Sequence, residues 1–200
     1  MNLSFDAIVS DIQNQRLFLD KRGNIYGPKY EPYLVYGFGC WQVPEELASL
    51  ILFLKDKNIQ SFLNIGTFNG LTFNLVSKYI KLFNKNAQCI SIDPINHDPV
   101  QEHGLIYESK TSDAFARKPF DFVFIDGDHT YKCVAQDFIN VGRYAKFCVF
   151  HDIKDKYIRA MPCGGVTKFW NEIKKQFKHH EFICTDNDVM GIGMLEIVNQ

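Results

Sequence analysis

The sequence predicts an α/β protein built on an open, doubly wound, mostly parallel sheet of seven strands. Three observations predict it. From Val43 onward, short apolar runs alternate with stretches of helical period. Glycine, acidic or histidine residues recur directly after those runs, at Gly66, Asp93, Asp126 and His151. One run, Phe120 to Ile125, is nearly all apolar, as a strand buried on both faces must be. Strands alternating with amphipathic helices mean parallel strands joined by right-handed crossovers.

Each element has its own warrant. An N-terminal helix and an irregular arm are expected over residues 1–42, and the α/β domain over 43–200. The arm, Lys21 to Gln42, mixes four glycines and two prolines with Tyr26, Tyr30, Tyr33, Tyr36, Phe38 and Trp41. It reads as a cover for core, or as a lid or wall touching substrate. Pro44, Glu45 and Glu46 open a helix whose apolar face is Leu47, Leu50, Ile51 and Leu54. Ser61 to Ile65 is the first strand. Leu71, Leu75, Val76, Tyr79 and Phe83 mark the next helix, and Cys89 to Ile92 the second strand. Leu105 to Tyr107 is a weak third and Phe120 to Ile125 the fourth. Tyr131, Val134, Phe138 and Val141 give a helix, and Phe147 to Phe150 the fifth strand. Val166, Phe169, Trp170, Ile173 and Phe177 form a helical stripe, so Lys174, Lys175, Lys178, His179 and His180 read as its solvated face and end. Glu181 to Cys184 and Val189 to Val198 close the sheet.

Composition bounds the function. With 200 residues, 46% of them hydrophobic, the chain can bury a large core without staples. A net charge of -1 argues against nucleic acid as a partner. The longest apolar run, Leu47 to Leu54, is too short to span a bilayer, and the first residues do not read as a signal peptide. Six scattered cysteines without a C-x-x-C pair fit reduced thiols in a cytoplasmic protein rather than disulfides or a zinc site.

In such a sheet, ligands bind beyond the carboxyl ends of the strands. There the sequence places Asn64-Ile65-Gly66-Thr67-Phe68-Asn69-Gly70, then Asp93, Asp126-Gly127-Asp128-His129 and His151-Asp152. Gly66 and Gly70 allow a tight turn and close approach by a ligand. Asp93, 23 positions after Gly70, can accept from both hydroxyls of a ribose. Phe68 stands where a dinucleotide fingerprint needs a glycine, so an adenosine-type ligand is expected rather than a dinucleotide. Asp128 and His129 could instead cap the helix beginning near Thr130.

The runs SFLNIGTFNGLTF, ISIDP, FDFVFIDGDHTYKCVAQDF, CVFHDI, GGVTKFWNEI and GIGMLEI resemble class I S-adenosylmethionine-dependent methyltransferases, with their Rossmann-like fold. The chain is most similar to the small O-methyltransferase-like branch that includes cephalosporin-hydroxylase-type proteins. The resemblance covers roughly Val43 to Val198. It implies that Gly66, Thr67, Asn69 and Gly70 hold the methionine end of the cofactor, and that Asn64 and Phe68 also contact it. Asp93 would bind the ribose, Ser112 and Asp113 would lie near the adenine, and Asp126 would sit where donor meets acceptor. The family usually has an acid where this chain has Asn64. The expected reaction is O-methylation of a hydroxyl on a small molecule or sugar. Asp126, His151 and Asp152 would hold magnesium or another divalent ion that lowers the acceptor's pKa. Alternatively His129 or His151 would act as general base. Two other readings stand beside it. Asn64 suggests an inactive binding or scaffold protein; His129, His151 and Asp152 suggest a hydroxylase-like metal enzyme. A homodimer is compatible with the sequence, although no specific feature argues for it.

Overall fold

A computed structural model describes residues 3–14, 42–155, 164–184 and 189–197. The aromatic arm before Gln42, with Cys40, and also Cys163 lie outside the described residues.

The elements follow in chain order: α1 (Phe5–Asn14), α2 (Pro44–Leu54), β1 (Ser61–Ile65), α3 (Leu71–Phe83), β2 (Gln88–Ile92), β3 (Ile106–Glu108), β4 (Phe122–Ile125), α4 (Tyr131–Asn140), β5 (Phe147–Asp155), α5 (Gly164–Ile173), β6 (Lys178–Phe182) and β7 (Val189–Glu196). They form one seven-stranded sheet in the order β3-β2-β1-β4-β5-β7-β6. Strands β1 to β5 are mutually parallel, and β7 runs antiparallel to both its neighbours. The doubly wound architecture expected from the sequence is therefore present. The strand order reverses between β1 and β4, which opens a crevice at their carboxyl ends.

Period-two alternation explains why the strands are apolar throughout. Phe62, Phe122, Phe124 and Val149 join α1, α2 and α3 in one buried cluster. Leu63, Val123, Ile125, Cys148 and Phe150 join α4 and α5 in the other. Phe62 stacks on Phe122 with ring centroids 4.8 Å apart in the first layer. Phe150, Phe138, Phe169 and Trp170 interlock in the second.

Two elements depart from expectation. Helix α5 ends at Ile173, followed by a 3-10 turn at Lys174–Gln176. Lys178, His179 and His180 therefore lie on the edge strand β6, not on a helix end. Pairing with β7 sets Lys178 opposite Glu196, whose carboxylate also meets His180 at 2.6 Å. Charge on an exposed edge guards it against pairing with other chains. Phe177 leaves the helical stripe but still packs on the second cluster. The fifth strand also runs past Phe150 to Asp155, with a break in register between His151 and Lys154.

Candidate active site

The loop after β1 forms the floor of the crevice. Gly66 has φ +95, and a Cβ built there would lie 2.0 Å from the Asp126 carbonyl oxygen. A Cβ at Gly70 would meet the Val100 carbonyl at 2.9 Å. These glycines serve contact between backbone segments of the protein, and Gly66 also lines the cavity. The β1 and β4 ends are drawn together by Asp126 N–H donating to the Ile65 carbonyl at 2.9 Å.

Asp93, just past β2, clamps this loop. Its Oδ2 accepts from the backbone N–H of Thr67 at 3.0 Å and of Phe68 at 3.1 Å. Its Oδ1 accepts from Ile95 N–H at 2.9 Å. Phe68 adopts φ 44 and is 40% exposed, so the loop turns an aromatic ring outward at the mouth. Asn69 Oδ1 accepts from Leu71 N–H at 3.0 Å and starts α3.

Asn64 does not face the crevice. It is buried, and its Nδ2 donates to the Gly66 carbonyl and to Ser91 Oγ, both at 2.9 Å. Ser91 Oγ and Thr67 Oγ1 lie 2.7 Å apart. The amide thus holds the loop from beneath. Neither Asn64 nor Asp113 lines the cavity of about 530 Å³ that the loop borders. Gly66, Thr67, Phe68, Asn69, Asp93 and Ser112 do, as do Asp126 and His129. The Asp113 carboxylate accepts from the Thr111 hydroxyl instead.

At the other end of the crevice, β4 and β5 supply a charged cluster. His151 Nδ1 lies 3.2 Å from Asp126 Oδ1 and 3.5 Å from Asp152 Oδ1. His129 Nε2 lies 3.6 Å from Asp126 and 3.4 Å from Asp152. Consecutive strand residues normally point to opposite faces. The break after His151, with Asp152 at φ 60, brings both side chains to one cluster. Burial alone would lower the His151 pKa. The Asp126 and Asp152 carboxylates outweigh it and hold the imidazole protonated well above its ordinary value. Burial would likewise raise Asp126, yet His151 and His129 hold its carboxyl below the usual carboxylate range.

Asp126, His129 and Asp152 each offer a ligand atom, all within 4.8 Å of one another. Two carboxylates and an imidazole suit a divalent ion. His151, named from the sequence as a ligand, sits behind this trio with its Nδ1 turned to both carboxylates. Its Nε2 is buried and has no hydrogen-bond partner among the described residues.

Asp128 Oδ1 accepts from Thr130 N–H at 2.8 Å, while Thr130 itself caps α4 by accepting from Cys133 N–H. Asp128 therefore buttresses the cap. Three participants escape the sequence reading. Gln42 Nε2 donates to Asp126 Oδ2 at 3.0 Å. Glu46, expected only as a helix-start acid, is 2% exposed and accepts from Cys184 and Gly191 N–H. Burial raises its pKa. Asp137 on α4 lines the cavity. Only Asp137 carried a readable signal: Cys133 and Asp137 lie four residues apart on the helix that follows the fourth strand, and so on one face of it.

Residues 63–153 match a methyltransferase domain. No curated protein sequence matches the chain. Among solved structures, the O-methyltransferase of Bacillus cereus in complex with SAH aligns with a TM-score of 0.55. It shares 10% identity over 98% of this chain and 93% of that one. The O-methyltransferase TomG of Streptomyces achromogenes, involved in tomaymycin synthesis and solved with SAM, aligns at 0.56 with 12% identity. That alignment covers 98% of this chain and all (100%) of TomG. The mycinamycin-pathway methyltransferase MycE, solved with Mg, SAH and mycinamycin VI, aligns at 0.57 with 14% identity, over 94% of this chain and 54% of MycE. These likenesses show the fold. The methyltransferase domain match begins within β1 and ends in β5, so it contains the glycine loop, Asp93, Asp126, His129 and Asp152. No helix among the described residues is long and apolar enough to cross a membrane.

Proposed function

We propose that the protein is an S-adenosylmethionine-dependent O-methyltransferase acting on a hydroxyl of a small molecule or sugar, with a divalent metal at the β4–β5 end. The observation that carries this reading is the juxtaposition at the switch point. A loop clamped by an acid at the end of β2 adjoins, through Gly66 and Asp126, a cluster of two carboxylates and a histidine. A cavity of about 530 Å³ lies within the range of small-molecule sites. The methyltransferase domain match spans all of these residues.

When bound, S-adenosylmethionine supplies a methyl group activated by its sulfonium. The chain's own work is then alignment and proton handling. Asp93 spends three acceptor positions on backbone donors, and a carboxylate keeps capacity for a ribose hydroxyl. Asp126 joins the two halves of the site, because its backbone N–H bonds Ile65 and its carbonyl lies close against Gly66, while its carboxylate meets His129 and His151. Asp126, His129 and Asp152 would hold the metal, which would lower the pKa of an acceptor hydroxyl. Alternatively, with no metal bound, His129, 30% exposed at its side chain, can take up the proton that the hydroxyl gives up.

No observation favours the scaffold reading: Asn64, its motive, serves the loop from beneath. The test is calorimetric titration with S-adenosylhomocysteine, with and without magnesium. Micromolar binding that Asp93→Ala abolishes supports the reading. Absence of binding in both conditions refutes it.

A further inference from the structure

Gln42 reaches the acidic cluster from the far side of the sequence. It stands two positions before α2 and is fully buried. Pro44 restricts the residue before it, and Val43 is accordingly extended, at φ -71 and ψ 120. Val43 is itself buried. Behind it, α2 is held by its apolar face and by the Glu46 carboxylate on Cys184 and Gly191 N–H. Gln42 therefore projects from a fixed base. Its Nε2 donates to Asp126 Oδ2 at 3.0 Å. Its Oε1 is buried and has no hydrogen-bond partner among the described residues.

That orphaned oxygen is informative. A buried acceptor without a donor costs stability. Methionine, of similar length, would fill the same space with no such atom to satisfy. What glutamine adds is an N–H donor, and that donor is spent on Asp126. The amide is also neutral, so it holds the oxygen without setting a positive charge beside a cation site.

The bond divides the Asp126 carboxylate between two partners. Oδ2 goes to Gln42, while Oδ1 faces His151 at 3.2 Å and His129 at 3.6 Å. The oxygen left for the trio of Asp126, His129 and Asp152 is therefore Oδ1. Small octahedral cations take a carboxylate through one oxygen, whereas calcium takes more ligands and commonly both oxygens. We propose that Gln42 is a positioning residue, which presents Asp126 as a one-oxygen ligand and so biases the site toward a small octahedral divalent ion over calcium. This rests on the metal site proposed above and adds the residue that sets its selectivity. Groups that hold a ligating carboxylate from behind are worth about tenfold or more in metal affinity.

The experiment is paramagnetic titration of the full chain with Mn²⁺, repeated with Ca²⁺ as competitor. Wild type should bind Mn²⁺ and prefer it to Ca²⁺. Gln42→Met loses the donor and frees Oδ2. It should weaken Mn²⁺ by about tenfold or more while Ca²⁺ holds its affinity, so the preference falls by the same factor. His129 is unchanged throughout, so its own preference among metals cancels in the comparison. Gln42→Lys keeps an N–H donor at similar reach and adds a charge. It should weaken both ions and leave the preference near that of wild type. A merely structural role would weaken both ions alike in Gln42→Met. Without metal, Gln42→Met should fold by circular dichroism and melt close to wild type, because the orphaned oxygen leaves with the bond. A Gln42→Met chain that does not fold makes the bond part of the fold and overturns the assignment. Equal loss of both ions in Gln42→Met, or the same loss of preference in Gln42→Lys, overturns it while the metal reading stands. Failure of wild type to bind Mn²⁺ overturns both.

Discussion

Replacing Gly66 by alanine tests whether the crevice is built by contact between β1 and β4. The added Cβ would lie 2.0 Å from the Asp126 oxygen, 2.5 Å from its carbonyl carbon and 2.8 Å from Gly127 Cα. All three are backbone atoms, so no side chain can swing away. Ordinary contact needs about 3.4 Å or more, so the segments must part by more than about 1 Å. That movement strains two bonds at 2.9 Å, Asp126 N–H to Ile65 and Gly66 N–H to Ile92. Two backbone bonds at about 1 kcal/mol each, plus roughly 1–2 kcal/mol for an alanine at φ +95, give about 3–4 kcal/mol. For a chain of this size that is a fall in Tm of roughly 6–16 °C. Two other glycines separate the causes. Gly104 also has a positive φ, +79, but nothing lies within 4 Å of its built Cβ. Gly104→Ala should cost only the backbone strain, about 1–2 kcal/mol. Gly127, whose built Cβ lies 3.6 Å from its nearest neighbour, should accept alanine nearly without loss. Scanning calorimetry of the three variants decides it. If Gly66→Ala melts no lower than Gly104→Ala, the clash account of the loop is wrong.

Asp93→Asn leaves one acceptor oxygen for three backbone donors, and its amide would face N–H groups. It should weaken S-adenosylhomocysteine binding by at least about tenfold in calorimetry, through loss of about 1–3 kcal/mol in loop positioning. His129→Ala and Asp152→Asn should each weaken Mn²⁺ binding by about tenfold or more in paramagnetic titration, whereas Glu172→Gln, away from the trio, should not. Asp137 is raised from 3.8 to about 6, chiefly by burial. The folded state therefore holds this proton more tightly than the unfolded state, and the group's contribution falls as pH rises from about 4 through about 6. Asp137→Asn, neutral throughout, should melt higher than wild type at pH 8 by roughly 2–4 °C, about 1 kcal/mol, with the gain shrinking by pH 4.

The parts of the site that could be read in advance are those that a parallel sheet brings together by construction. Residues after β1, β2, β4 and the parallel-paired part of β5, which ends at Phe150, share one edge whatever the side chains do, so Gly66, Asp93, Asp126 and Asp152 could be grouped from position alone. What could not be read is what depends on packing between elements. Gln42 reaches Asp126 across 84 positions, and Glu46 reaches Gly191 across 145; no local pattern encodes either contact. In the sequence Glu46 reads as a helix-start acid facing a dipole, and only burial of α2 against β7 shows it as a tether. His151 and Asp152 likewise required a break in strand alternation that an apolar run followed by two polar residues does not announce.

Asn64 shows where period and resemblance pointed in different directions. The family pattern placed it against the cofactor. Alternation along β1 sets it on the face of Phe62, opposite to Leu63 and Ile65, and Ile65 is the strand residue that lines the cavity. Its register partner on β2 is Ser91, a hydroxyl buried among Cys89, Ile90 and Ile92 of that strand. The two form a polar pair under the loop, and each satisfies the other where an isolated polar group would be costly. An acid at position 64 would lose the amide donor that now holds Gly66 O and Ser91 Oγ, and would bury a charge beside Ser91. On this account Asn64→Asp should destabilise the chain before it improves any ligand contact, and a higher melting temperature for that variant would refute it.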